Sequence, residues 1–322
     1  MKGLLIFKYD YLDYKFVCLV RTCRTERMFM KILVTGANGY LGTGVVKQLC
    51  DDGIEVVAAC HNRTDHVDQR AIIKQGDIFE IEDPYKKFGN PDVLLHMAWR
   101  NGFVHNDPSH IEDFPKHFDF IKKMIDSGVK QVAVIGSMHE VGFFEGSIKA
   151  DTPTHPESLY GISKDALRNA TKLLCKNAGI NFQWLRGYYI VGNSEYGCSI
   201  FSKITAAEKE GKESFPFTTG INQWDFIDYE DFAKQVAAIV EQDEVKGIIN
   251  ICHGRPEKLA DRVERFIKDN GYKIKLDYGK FPDRPYDSKA VWGDDTIIKT
   301  IMKDKYAYKA DRKDYGEGTV VK

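Results

Sequence analysis

Residues 35–42 read TGANGYLG. They stand between the apolar run KILVT (31–35) and the stretch TGVVKQLCDD, which sets Val45, Val46 and Leu49 on one face before Gly53. No other stretch restricts the fold as much. Gly36 permits a tight turn, Gly39 lets backbone approach a pyrophosphate, and Gly42 lets helix and strand pack closely. The first helical turn adds unpaired N–H groups and the positive end of the helix dipole, both suited to phosphate. Spaced glycines alone carry little weight in a chain with 27 of them. Between a strand and a helix they predict a βα unit with a dinucleotide-binding turn. Asn38, Tyr40 and Leu41 lie inside that turn and join Gly36, Gly39 and Gly42 as expected cofactor contacts.

The alternation continues downstream. IEVVAAC (54–60), AIIKQGDI (71–78), DVLLHMA (92–98) and KQVAVIGS (130–137) read as strands. INFQWLRGYYIVG (180–192) contains a sixth and KGIINICHG (246–254) a seventh. Residues 114–128 and 160–178 read as helices. Apolar strands alternating with helices predict a parallel sheet covered on both faces, a doubly wound α/β domain of the Rossmann type. The rhythm fades after about 192, in stretches such as ESFPFTTGINQWDF and YGKFPDRPYDSKAVWGDD. These predict a smaller substrate-binding lobe from 193–225 and 255–322, set against a nucleotide-binding body from 30–192 and 226–254.

Composition removes other classes. With 46 Lys+Arg against 47 Asp+Glu there is no basic excess for a nucleic-acid partner. No apolar run approaches the ~20 residues a membrane helix needs. Seven cysteines without CxxC spacing point to a reducing cytoplasm and to no metal site. Residues 1–29 fit none of the pattern: they carry six basic and three acidic residues, lack a signal-peptide apolar stretch, and end just before Met30. The expectation is that Met30 starts the enzyme and that 1–29 is a non-native or dispensable leader.

The end of the second strand distinguishes the two nicotinamide dinucleotides. A carboxylate there accepts from the ribose of NAD. Here the sequence is Cys60-His61-Asn62-Arg63, so Arg63 is expected to meet a 2′-phosphate, which favours NADPH, with NAD possible through Asp65. Asp77 and Ile78 follow the third strand and are expected at the adenine. Met97, Ala98 and Trp99 follow the fourth and are expected beside the cofactor.

Tyr160-Gly161-Ile162-Ser163-Lys164 places a phenol and an ammonium on one helix face. A neighbouring cation favours the phenolate, which brings a group of ordinary pKa near 10 toward useful acid–base chemistry. Tyr11 and Lys15 share the spacing but lack any strand or glycine turn before them. Ser137 closes the fifth strand, where a hydroxyl overlooks the cofactor crevice.

The ordered set TGANGYLG, HMAW, GSMHEVG, YGISK, LRGYYIVG and DFIDYEDFA resembles the extended short-chain dehydrogenase/reductase family, the NAD-dependent epimerases, dehydratases and reductases of nucleotide sugars. The resemblance implies a catalytic triad of Ser137, Tyr160 and Lys164, a C-terminal lobe that grips a nucleotide sugar, and a possible homodimer. In the dehydratases a Thr-Asp-Glu stands where this chain has Ser137-Met138-His139, so elimination of water is disfavoured unless Glu140 substitutes. The Cys of the epimerising synthases is absent. Arg284 and Asp287 resemble a late segment that contacts substrate, and Arg100 and His139 are further substrate candidates. The expectation is NADPH-dependent reduction of a 4-keto group on a nucleotide-linked 4-keto-6-deoxysugar, as in the dTDP-4-dehydro-6-deoxyglucose reductases. The alternatives are a 4-epimerase holding NAD tightly and a non-catalytic NADP sensor.

Overall fold

The computed structural model describes residues 30–192, 199–283 and 287–313. The expected leader 1–29 and the substrate candidate Arg284 lie outside them. In chain order the first half runs β1 (Lys31–Thr35), α1 (Gly42–Asp51), β2 (Glu55–Cys60), β3 (Ile72–Gln75), α2 (Pro84–Lys87), β4 (Val93–His96), α3 (Ser109–Glu112), α4 (Phe114–Asp126) and β5 (Gln131–Ser137). A 3-10 turn (Met138–Glu140) leads to β6 (Gly146–Ile148), α5 (Leu159–Ala178), β7 (Asn181–Gly187) and β8 (Tyr189–Val191). Then come α6 (Ile200–Lys209), β9 (Ser214–Pro216), β10 (Gln223–Asp228), α7 (Tyr229–Val240) and β11 (Gly247–Ile251). The described chain closes with β12 (Pro256–Lys258), α8 (Leu259–Asp269), β13 (Lys275–Asp277), β14 (Ala290–Gly293) and α9 (Thr296–Lys313).

All seven strands expected from the apolar runs join one parallel sheet, ordered β11-β7-β5-β4-β1-β2-β3. Side chains alternate across it. Ile32 and Val34 enter the core under α1 and α7, while Leu33 and Leu94 enter the core under α4 and α5. That two-sided burial is why the strands read as unbroken apolar runs. Strand order reverses between β1 and β4, the point at whose carboxyl ends a sheet of this kind forms its ligand crevice. The third strand stops at Gln75 and is largely exposed, as befits a sheet edge, so AIIKQGDI overstates it.

A separate core gathers Val191, Phe201, Ile204, Phe217, Phe226, Leu259 and Val263. It draws on both segments assigned to the smaller lobe. The final segment divides, however. Ile298 and Ile301 of α9 pack into the main core, and Lys305 reaches Asp52 and Glu241 of the main body. The last helix therefore covers the main sheet, because its apolar face meets α7 and β11. Among the described residues, no helix is long and apolar enough to cross a membrane.

Candidate active site

The glycine turn is built as tightly as backbone allows. Gly36 has φ +67°, and a Cβ there would lie 2.9 Å from Ala98 backbone. At Gly42 a Cβ would lie 2.2 Å from the Gly36 carbonyl oxygen. The turn is held from below by Thr35, whose hydroxyl accepts from Met97 N and Ala98 N at 3.1 and 3.2 Å. Leu41 occupies the cap position of α1 and its side chain makes no cap hydrogen bond, while Gly44 N in the first turn donates to the Tyr229 hydroxyl at 2.8 Å. Asn38 accepts from His66 N, and Tyr40 donates to the Gly192 carbonyl at 2.7 Å. A cleft of about 280 Å³ opens beside the turn, lined by Gly36, Asn38, Gly39, Cys60, His61, Asn62 and Arg63. Backbone that approaches without Cβ obstruction, a helix N-terminus and a cleft at the end of β2 together suit the phosphates and ribose of a dinucleotide.

At the rim, Arg63 donates to both oxygens of Asp65, Nε at 3.1 Å and Nη2 at 2.6 Å, and lies beside His66. The guanidinium beside it holds the Asp65 carboxyl down, to about 2. Arg63 thus meets the pocket as half of an ion pair. Asp77 accepts from Phe79 N and lies 3.7 Å from His61, while Ile78 is packed into the core.

Deeper in, the structure brings Ser137, Tyr160 and Lys164 together. Ser158 caps α5 by accepting from Gly161 N at 3.1 Å, and Tyr160 N donates to the His105 carbonyl at 2.9 Å. A Cβ at Gly161 would strike the His139 carbonyl at 2.4 Å, so only glycine lets the helix start this close to the end of β5. Burial pushes the Tyr160 phenol up to about 12, against the lowering expected from a neighbouring cation, and Ser137 opposes the rise. Lys164 is buried, donates to the Ile135 carbonyl at 2.8 Å, and sits 3.9 Å over the Trp99 ring. Burial pushes its ammonium down to about 7. A serine hydroxyl, a phenol and an ammonium in one crevice can bind a carbonyl oxygen and exchange a proton with it.

Sequence reasoning named His139 but missed the other imidazoles around this group. His105 stacks on Tyr160 with centroids 5.5 Å apart, His110 lies at 5.2 Å, and His139 lies at 6.1 Å. Trp99 stacks on His117 at 4.4 Å and donates to His110 at 3.0 Å. The Thr35 hydroxyl already accepts two amide protons, so it donates to His96 Nδ1 at 2.9 Å, and His96 Nε2 then donates to His117 Nδ1 at 2.8 Å. A signal existed: five of the nine histidines fall between residues 96 and 139. Arg100, expected at the substrate, instead turns onto Asp113 at the start of α4. Glu140 is fully buried behind Ser137 and faces Trp184 and Arg186. It cannot replace the missing elimination acid.

Comparison with known proteins gives the family and the fold. Residues 32–252 match the model of the NAD dependent epimerase/dehydratase family. The chain is 42% identical over 269 residues to a dTDP-6-deoxy-L-talose 4-dehydrogenase (NAD(+)) of Aggregatibacter actinomycetemcomitans, covering 82% of this chain and 99% of that protein. It is 27% identical over 306 residues to a UDP-glucose 4-epimerase of Lactobacillus helveticus, covering 85% and 91% of the two chains. The fold matches a UDP-N-acetylglucosamine 4-epimerase structure from Methanobrevibacter ruminantium with a TM-score of 0.74 at 20% identity, covering 85% of this chain and 92% of that one. The chain is an oxidoreductase-type enzyme that belongs to the NAD dependent epimerase/dehydratase family.

Proposed function

We propose that the protein interconverts the 4-keto and 4-hydroxyl forms of a nucleotide-linked 6-deoxyhexose, with net reduction of the ketone as its working direction. The observation that carries this is the seclusion of Glu140. With that carboxylate sealed behind Ser137, Tyr160 and Ser137 are the hydroxyls that face a carbonyl in the crevice, an arrangement that suits reduction and oxidation rather than loss of water. The 42% likeness to a dTDP-6-deoxy-L-talose 4-dehydrogenase supports the same chemistry and suggests a dTDP-linked sugar.

In this reading the glycine turn of Gly36, Gly39 and Gly42 would hold a nicotinamide dinucleotide, whose chemistry when bound would be to give or take a hydride. Ser137 donates to the carbonyl oxygen and orients it. Tyr160 gives the proton to that oxygen as it becomes an alkoxide. Lys164 stabilises the phenolate left behind and binds the nicotinamide ribose. Positioned proton transfer of this kind contributes about 10²–10⁴-fold.

NAD(H) is the dinucleotide we assign. The expected preference for NADPH needs an unengaged cation at the end of β2, whereas Asp65 neutralises Arg63 and offers a carboxylate of its own. The dehydrogenase relative carries NAD(+) in its name. Arg284 remains a proposed contact to the substrate phosphates. The test is consumption of NADH and NADPH against a panel of nucleotide 4-keto-6-deoxysugars, with NMR of the product. Turnover with NADH and a new C4–H bond is the expected result. Purified protein that already carries dinucleotide, and inverts C4 with no NADH added, would instead establish a 4-epimerase.

A further inference from the structure

Behind the crevice lies a charged cluster that the proposed chemistry does not use. Glu140 is 0% exposed, and so is Arg186. One carboxylate oxygen accepts from Ser137 N at 2.5 Å, and the Trp184 indole donates to both oxygens at 2.8 and 2.9 Å. Arg186 Nη2 lies 3.6 Å away and Arg168 Nε 3.8 Å away. The Ser137 hydroxyl in turn accepts from His139 N, so serine and glutamate cap the 3-10 turn reciprocally. Gly136 makes room for all of this. A Cβ there would lie 2.0 Å from Trp184 Nε1 and 2.5 Å from Glu140 Oε1.

Burying a carboxylate is expensive unless cations and donors surround it. A helix cap alone needs no such outlay, since a serine or an exposed glutamate serves as well. Burial pushes the Glu140 carboxyl up, and Arg186, the Ser137 amide, the Trp184 indole and Arg168 oppose that rise and favour the carboxylate, which sits directly behind Ser137. This charge also acts across the interior on Lys164, whose ammonium it favours.

We infer that Glu140 is a positioning residue for the ketone-reducing site: its carboxylate pins the Ser137 backbone so that the hydroxyl faces Tyr160, and its charge balances the buried Lys164. The inference rests on the proposed roles of Ser137, Tyr160 and Lys164. The groups that face Tyr160 and Lys164 are Ser137, His139 and Glu140 from the end of β5, His96 from β4, Trp99, His105 and His110 from the β4 loop and α3, and His117 from α4. Glu140 is the carboxylate among them, so its removal lowers the pH at which both Tyr160 and Lys164 lose their protons.

The test compares Glu140→Gln and Glu140→Asp with the unaltered full-length protein. One readout is the pH profile of kcat with a nucleotide 4-keto-6-deoxysugar and NADH. The other is the ¹³Cε NMR titration of Lys164, assigned with Lys164→Arg, which needs no turnover. Glu140→Gln is expected to lower kcat about 10–10²-fold, as for a displaced catalytic group, with the NADH KM nearly unchanged. It should also move both arms of the profile and the Lys164 midpoint to lower pH by about one unit. Glu140→Asp keeps the charge but shortens the reach to Ser137 N, so kcat falls and the midpoint stays. Leu185→Val, a core truncation on β7 between Trp184 and Arg186, lowers thermal stability and leaves both readouts alone. Wild-type kcat with an unshifted Lys164 midpoint in folded Glu140→Gln would overturn the inference. If that variant does not fold, wild-type kcat in Glu140→Asp would do so. A protein that turns over no keto sugar, yet shows the shifted midpoint, would remove the proposed function and leave the charge balance standing.

Discussion

Two arginine–carboxylate pairs lie on opposite sides of the crevice. At the rim, Arg63 and Asp65 are two residues apart in sequence, and both are well exposed, 68% and 49% by side chain. At the floor, Arg186 and Glu140 are 46 residues apart and wholly buried. An exposed pair is worth about 0–1 kcal/mol, because water and salt screen it. A buried pair is strongly destabilising to break, since one charge is left uncompensated in the interior. The rim pair therefore bears on which dinucleotide is preferred, whereas the floor pair bears on whether the site forms at all.

The largest expected effect belongs to the floor. Tyr160→Phe removes the proposed proton donor and should lower kcat about 10²–10⁴-fold with dinucleotide binding retained, as measured by NADH fluorescence titration. Gly42→Ala comes next. Its Cβ would meet the Gly36 carbonyl at 2.2 Å, a backbone clash that no rotamer relieves. Overpacking of this kind costs about 1–3 kcal/mol, so the Kd for NADH should rise about tenfold or more. An unchanged Kd would show that the turn does not hold the phosphates.

The floor should also be sensitive to acid. Burial pushes His117 down from 6.5 to about 3 and holds His96 well below its usual value. The unfolded chain binds these protons near pH 6.5, and the folded chain refuses them until far lower. Their contribution to stability is therefore present above about pH 6.5 and is lost as pH falls toward 3. The thermal midpoint should fall through that window, and His117→Asn should flatten the slope. The smallest effect belongs to the rim. Arg63→Ala should change the KM for NADH by less than about fivefold, in keeping with an exposed, neutralised pair. A large, selective rise in the KM for NADPH would restore the 2′-phosphate role first expected of Arg63.

The same contrast explains what was legible in the sequence. Strands buried on both faces announce themselves as apolar runs, so all seven strands of the main sheet were readable. The turn at residues 35–42 was readable because its glycines answer to local backbone geometry. The pairing of Tyr160 with Lys164 follows from one turn of helix. What stayed hidden depends on long-range closure. Glu140 reads as a loop acid until β7 brings Trp184 and Arg186 beneath it. Arg100 reads as a cation at the crevice until α4 presents Asp113. The short strands β6, β9 and β12–β14 gave little signal because each is three or four residues long and only partly buried.

The most direct measurement is NADH oxidation by the purified protein with a dTDP-linked 4-keto-6-deoxyhexose, followed by NMR of the sugar. One NADH should be consumed for each ketone reduced, with a new hydrogen at C4, and Tyr160→Phe should lose that turnover. Interconversion of C4 hydroxyl epimers with no net NADH consumed, or undiminished turnover in Tyr160→Phe, would contradict the proposed reduction.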